Sequence, residues 1–191
     1  MSTLRRHNVV VLAGLAVGCA VPAVAWADSG TGGVSPNDPQ FAPPKRAKIV
    51  DGKAVAPAGA PIEVVKAINA ANRIVRKPYR YGGGHASFRS RGYDCSGTVS
   101  YALHGAHLLR RPFDSRDFFG WGEPGRGRWI TVYTSSGHAF VVIAGLRFDT
   151  SSGGDSAAAA RRRGIRPGKG PRWRVSKRST RGYVARHPDG L

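Results

Sequence analysis

The clearest signal in the chain is a change in the period of its apolar residues. From Ile62 to Val75, the residues Ile62, Val65, Ile68, Ala71 and Val75 recur every three or four positions, the spacing of one face of an α-helix. Pro61 sits where a first helical turn tolerates proline, and Pro78 bars continuation. A second helix is predicted to start at Asp94 or Cys95, with Val99, Leu103, Ala106 and Leu109 along one face. Past residue 128 the texture changes. Trp129 to Thr134 and Ala139 to Ala144 are β-branched and apolar, and Gly145 before Leu146 to Asp149 predicts a tight hairpin into a third strand. Trp173 to Val175 and Tyr183 to Ala185 are candidates for further short strands. The order predicts an α+β domain in which N-terminal helices, one carrying Cys95, pack on an antiparallel sheet.

The two ends of the chain break this pattern. Arg5 and Arg6 precede an apolar run from Val9 to Val24, and Ala25-Trp26-Ala27 ends it with small residues, the layout of a secretory signal peptide over residues 1–27. An uncleaved membrane anchor and a lipidated Cys19 are the competing readings of that run. Residues 28–60 are rich in Gly, Pro, Ser and Ala, the composition of a flexible linker or loosely docked arm. Residues 61–191 form the predicted domain, and its last part, about 151–191, is a basic extension opened by Arg161-Arg162-Arg163. Between Arg110 and Arg128 the pattern dissolves into Pro, Gly, Asp and Arg, a long loop of the kind that often lines a functional cleft.

Charge narrows the choice of partner. Thirty basic against 11 acidic residues give a formal net charge of +19, which calls for a polyanionic partner. With an export leader, that partner is expected to be an anionic cell-wall polymer met through the basic tail. Nucleic acid is not expected, nor is a stable membrane anchor once the leader is removed. Cleavage after Ala27 removes Cys19 and leaves Cys95 as the one cysteine of a chain bound for a compartment where thiols are usually paired.

Cys95 sits at the start of a predicted helix, where unsatisfied N–H groups and the helix dipole favour thiolate over thiol. Gly97 allows close backbone approach, and first-turn N–H groups are candidates to face an oxyanion. The competing role for Cys95 is a buried structural thiol. His138 opens a predicted strand and shares a face with Phe140 and Val142, with His85, His104 and His107 as rivals for the role of base. The hairpin at Gly145 is expected to set Asp149 opposite His138 or one position away, so that the carboxylate holds the ring. No spacing in the sequence suits a metal, and Gly82-Gly83-Gly84 lacks the Lys and Ser/Thr of a phosphate loop.

Taken together, Pro78-Tyr79-x-x-Gly82-Gly83, Asp94-Cys95-Ser96-Gly97 and Gly137-His138 resemble the NlpC-type cell-wall cysteine peptidases over about Ile62 to Thr150. That resemblance implies a papain-like fold and an enzyme that needs no cofactor. Cys95 would be the nucleophile, His138 the base and later the acid, and Asp149 the third polar residue where relatives often carry His. Tyr79 would lie near the oxyanion, and Asp94 and Ser96 would meet the free amine of a peptidoglycan peptide stem. Two features depart from the family: its usual Pro-Gly-Asp-Leu segment before the His is replaced by Trp121 to Gly125 and Trp129 to Tyr133, and the basic tail has no counterpart. The alternative function is a catalytically inactive wall-binding or scaffold protein on the same fold.

Overall fold

The computed structural model describes residues 46–151, 170–175 and 178–191, all within one unit spanning Pro39–Leu191. The predicted leader and the arginine run at 161–163 lie outside the described residues. Among the described residues the architecture is mixed, with two α-helices against an antiparallel sheet. A hairpin of β1 (Lys48–Val50) and β2 (Lys53–Val55) leads into α1 (Ile62–Ile74) and α2 (Cys95–Gly105). A 3-10 turn (Asp117–Gly120) and β3 (Glu123–Pro124) follow. The remaining strands are β4 (Ile130–Thr134), β5 (Ala139–Ile143), β6 (Leu146–Asp149), β7 (Arg172–Arg174) and β8 (Val184–His187). Six strands form one sheet in the order β3-β8-β4-β5-β6-β7.

The first hairpin falls inside the stretch 28–60 that composition assigns to an arm. Its apolar content is small, but a polar side chain anchors it. Asn72 on α1 donates to the Ala54 carbonyl at 2.8 Å and accepts the Ala54 N–H at 2.9 Å, while its Oδ1 also accepts the Trp173 indole N–H at 2.8 Å. One side chain thus ties β2, α1 and β7 together, and a hydrophobicity pattern cannot reveal it.

Helix α1 is where the periodicity predicts it, rotated from the predicted face. Val64, Ala67, Ile68, Ala71 and Ile74 are buried while Ile62 is exposed, because Pro61 caps the helix and its first residue projects outward. Glu63 in the first turn and Arg73 in the last complement the helix dipole. Helix α2 is buried on more than one side: Ser96, Thr98, Val99, Ser100, Ala102 and Leu103 are all inaccessible. It is sandwiched between α1 and the sheet. A Cβ at Gly105 would lie 2.2 Å from that of Ala70, so glycine there sets how closely the two helices cross.

The sheet presents Ile130, Val132, Val141, Ile143, Phe148 and Trp173 to the helices. Full burial of each such side chain is worth about 1.5–3 kcal/mol against leaving it exposed. Ala144 and Gly145 form the β5–β6 turn with φ of 45° and 76°, the two positive angles of a type I′ turn that matches strand twist. That turn pairs Val141 with Phe148, and the same register places Asp149 opposite Phe140 and Ser151 opposite His138. His138 itself lies just before β5. Asp149 is therefore two positions from direct opposition, not the zero or one expected from the sequence, and it reaches His138 along the diagonal available to longer side chains.

Strand β7 lies at one edge of the sheet and β8 next to the other. Arg178, between them in sequence, lies on the face turned away from the helices, over the Phe140 ring, 5.4 Å from guanidinium carbon to ring centre.

Candidate active site

Two pieces of backbone converge on Cys95. The Tyr79 to Gly84 turn is laced to the residues before α2: the Tyr93 N–H donates to the Pro78 carbonyl at 3.0 Å, the Arg80 N–H to Tyr93 at 3.2 Å, and the Asp94 N–H to Gly83 at 3.2 Å. A Cβ at Gly97 would come within 2.0 Å of the Gly83 oxygen, and one at Gly83 within 2.3 Å of the Gly92 oxygen. These glycines let the turn lie directly on the first turn of α2. Asp94 is the N-cap. Its carboxylate accepts the Gly97 N–H at 2.9 Å and the Gly82 N–H at 3.0 Å, so the helix start and the turn share one anchor. Because Gly97 gives its N–H to Asp94, the first-turn donors that remain for an oxyanion are the N–H groups of Cys95 and Ser96.

Cys95 is partly accessible. Burial pushes its thiol up, and the Asp94 charge acts the same way. The hydrogen bond with His138, the Ala139 N–H and the His138 charge act against both, and the balance lies below the ordinary thiol value. His138 moves the other way: burial pulls it down, but its bonds to Asp149 and Cys95 prevail and raise it to about 9. A thiol lowered beside an imidazole raised means that each group shifts the other toward its charged form. The His138 Nε2 lies 2.9 Å from Asp149 Oδ1, which leaves Nδ1 as the ring nitrogen for sulfur.

The Asp149 side chain is fully buried. Burial would raise its carboxyl, yet the His138 bond and charge, the Ser151 N–H and the Arg147 charge hold it below the usual value. Its second oxygen accepts from Arg147 at 3.2 Å and from Arg178 at 3.1 Å. Arg178 also donates to the Tyr183 hydroxyl at 2.8 Å and stands 3.4 Å from His138 Nε2. The Tyr183 ring meets His138 edge-on with centroids 6.4 Å apart. Sequence reasoning missed Arg147, Arg178 and Tyr183. Arg147 was within reach of it, since residues two apart on a strand share a face with Asp149. Arg178 lies among basic tail residues, and no spacing singles it out.

In front of the sulfur lies a cleft of about 360 Å³ lined by Tyr81, His85, Asp94, Ser96 and the Asp114 to Arg116 segment, with Ser136 and Gly137 behind. The long loop predicted after Arg110 supplies one wall. It is pinned to the β4–β5 turn by a hydrogen bond from the Thr134 hydroxyl to the Ser115 carbonyl and one of 3.4 Å from Ser115 Oγ to the Ser136 carbonyl. His85, a rival base by sequence, stands on the opposite wall, its Nε2 3.0 Å from Asp94 and 3.0 Å from Ser96. His104 turns away and meets the Leu109 carbonyl at 3.0 Å. The Tyr79 phenol is raised by burial first, then by the charges of Cys95 and Asp94, and so keeps its proton. The structure thus places His138 between Asp149, which it meets at 2.9 Å, and Cys95, whose thiol it lowers, with Asp94 and Ser96 flanking the cysteine and the Tyr79 phenol within reach of its charge. Among the described residues, no cluster of His, Cys, Asp and Glu is arranged to hold a metal. None of the described helices is long and apolar enough to cross a membrane.

No protein-family model and no curated protein matches the chain. Among solved structures it is similar to two mutant forms of the resuscitation promoting factor interacting protein RipA. Identities are 19% and 18% over 74% and 75% of this chain and 72% and 71% of those chains, with TM-scores of 0.45 and 0.46. It is also similar to a hypothetical invasion protein of Mycobacterium tuberculosis, at 19% identity over 75% of this chain and 70% of the other, with a TM-score of 0.45. Likeness at these values decides neither family nor activity.

Proposed function

We propose that the chain is an exported cysteine hydrolase that cleaves amide bonds in the peptide stems of bacterial cell-wall peptidoglycan. The observation that carries the hydrolase reading is the line Cys95–His138–Asp149, with its lowered thiol and raised imidazole. The wall and its peptide stems enter through the resemblance of Tyr79-x-x-Gly82-Gly83, Asp94-Cys95-Ser96-Gly97 and Gly137-His138 to NlpC-type peptidases. Export enters through the leader-like residues 1–27. Asp94 and Asp114, which line the cleft together with His85 and Arg116, offer carboxylates to an ammonium group on the substrate.

In this reading the Cys95 thiolate attacks the scissile carbonyl, and the oxyanion is met by the Cys95 N–H and the Tyr79 hydroxyl. His138 gives its proton to the departing amine as the C–N bond breaks, leaving a thioester. Neutral His138 then takes a proton from water, whose oxygen attacks the thioester. The acid is released, and Cys95 and His138 return to their starting states. Asp149 stays ionised throughout and holds the ring.

The test is to incubate the mature chain with peptidoglycan fragments and map the products by mass spectrometry. New amino and carboxyl ends within stem peptides, absent with Cys95→Ala, are expected. Intact stems in the presence of a thiol that alkylates normally would remove the peptidase reading, and an inert thiol with retained wall binding would leave the scaffold alternative.

A further inference from the structure

A second cavity, larger than the cleft at the cysteine, lies elsewhere on the domain. It lies on the sheet face turned away from the helices, has a volume of about 530 Å³, and is walled by Arg46, Arg126, Arg128, Arg147 and Arg178. Among the described residues, none that lines it is acidic. Asp149 stands behind the wall, fully buried and already engaged by His138, Arg147 and Arg178. The floor is aromatic: Tyr133 and Phe140 stack with centroids 5.0 Å apart, and Trp129 flanks them.

We propose that this cavity is a binding site for a phosphate group carried on a sugar or polyol. Guanidinium groups present flat forks of N–H donors that match oxyanions. Several such groups around one space fit the three acceptor oxygens and higher charge of phosphate better than the two oxygens of a carboxylate. The partly exposed Trp129 ring, backed by the buried Tyr133 and Phe140, offers an apolar surface to the C–H face of the carrier. The volume lies within the range of small-molecule sites, large enough for one or two repeating units. The chain's net charge of +19 points independently to an anionic partner. The cavity places that attraction in the folded domain, on residues distinct from the arginine run at 161–163. Its occupancy needs no hydrolysis, so it stands or falls apart from the peptidase reading.

Calorimetric titration of the full mature chain tests it, with inorganic phosphate, glycerol phosphate and a short glycerol-phosphate polymer as probes. Glucuronate and glucose serve as the carboxylate and neutral controls. The phosphate probes should bind, more weakly as salt rises, and glucose should not. Glycerol phosphate and the polymer separate a small ligand from a phosphodiester chain. Arg46→Glu with Arg126→Glu, both at exposed positions, should weaken phosphate binding by about tenfold or more. Arg89→Glu with Arg91→Glu, an equal charge change on an exposed loop outside the cavity, should change it by less than about threefold. Equal losses in the two double variants would reduce the effect to overall charge and overturn the proposal. Loss of binding on replacing Arg161, Arg162 and Arg163 by Ser, with the cavity intact, would assign the anion to the tail instead. Preference for glucuronate over the phosphate probes would overturn the phosphate assignment. Binding to nucleic acid or anionic vesicles that ignores the cavity substitutions, without phosphate binding, would also overturn it.

Discussion

Two histidine–aspartate pairs flank the same cysteine, and they are nearly identical in length. His85 lies 3.0 Å from Asp94 and His138 lies 2.9 Å from Asp149. The difference is in what else each carboxylate does. Asp94 caps α2 and anchors the Gly82 turn, so its charge serves local architecture and, next to Cys95, opposes thiolate. Asp149 serves no helix. It is sealed from solvent, backed by two guanidinium groups, and its partner histidine is the one that lowers the Cys95 thiol. Pairing alone does not make a relay; the ring must also reach the nucleophile, and the carboxylate must be held ionised.

Breaking the relay at its head should have the largest effect. Cys95→Ala is expected to remove hydrolysis by a factor on the order of 10⁶ while leaving the melting temperature within a few degrees, as only a small, partly exposed side chain is lost. The variant should also alter the pH dependence of stability. In the native chain the folded Cys95 is shifted toward thiolate and the folded His138 toward imidazolium. The raised His138 contributes stability that is complete below about 6.5 and lost as pH rises through about 9. The lowered Cys95 contributes stability that is present above its ordinary value of 9.0 and lost as pH falls through its depressed folded value. Between the depressed Cys95 value and 9 the two slopes oppose each other. Removing the thiol leaves the histidine slope exposed, and thermal melts should then show stability falling from about pH 6.5 upward. Matching pH slopes in the two proteins would argue against the ion pair.

His138→Ala ranks next, with activity down by roughly 10³-fold or more and the acid limb of thiol alkylation moved toward the ordinary thiol value. Asp149→Asn should follow, at about 10²-fold, since the amide can hold the ring but cannot stabilise imidazolium. It would also leave Arg147 and Arg178 facing a neutral group, so its stability must be measured alongside its rate. An Asp149→Asn chain as active as the native one would show that ring position alone suffices.

The two pairs also differ in how far the sequence reveals them. Cys95, His138 and Asp149 were legible because each sits at a period change: a helix start, a strand start and a strand end beyond a glycine turn. The β5–β6 hairpin needed only local turn chemistry. Arg178 was not legible, because its place depends on β7 and β8 taking nearly opposite ends of a six-stranded sheet, a non-local choice with no periodic trace. The docking of β1 and β2 was hidden for a related reason: it rests on Asn72 and two small alanines, where pattern reading looks for larger apolar residues. The α1 face was rotated because Val64, Ala67 and Ile74 follow the helical period as well as the predicted set, and packing decided between them.

Arg178 offers a finer way to sharpen the comparison. Arg178→Gln removes one charge-assisted hydrogen bond from Asp149, a contact of about 1.5–3 kcal/mol, and should lower activity about tenfold if half or more of that is felt at His138. Because Arg178 stands 3.4 Å from His138 Nε2, its removal also relieves repulsion against the imidazolium. His138, followed by NMR, should therefore titrate higher in the variant. Arg178→Lys keeps the charge and should keep the titration. A lower His138 value in Arg178→Gln would mean that loosening Asp149 outweighs the lost repulsion.

The smallest effect is expected at the other pair, and it is the most direct test of the contrast. His85 is partly exposed, and its removal leaves Asp94 still bonded to the Gly82 and Gly97 N–H groups, so the start of α2 and the position of Cys95 should survive. The lost contacts run from one ring nitrogen to the Asp94 carboxylate and the Ser96 hydroxyl, and a bond to a charged group is worth about 1.5–3 kcal/mol. They act on the cleft wall, with no bond to the sulfur. His85→Gln should therefore leave thiol alkylation within about twofold of the native rate across pH, while KM for a stem-peptide substrate rises severalfold with kcat little changed. If alkylation instead collapsed as in His138→Ala, the thiolate would depend on the capping pair, and the assignment of the base to His138 would have to be reversed.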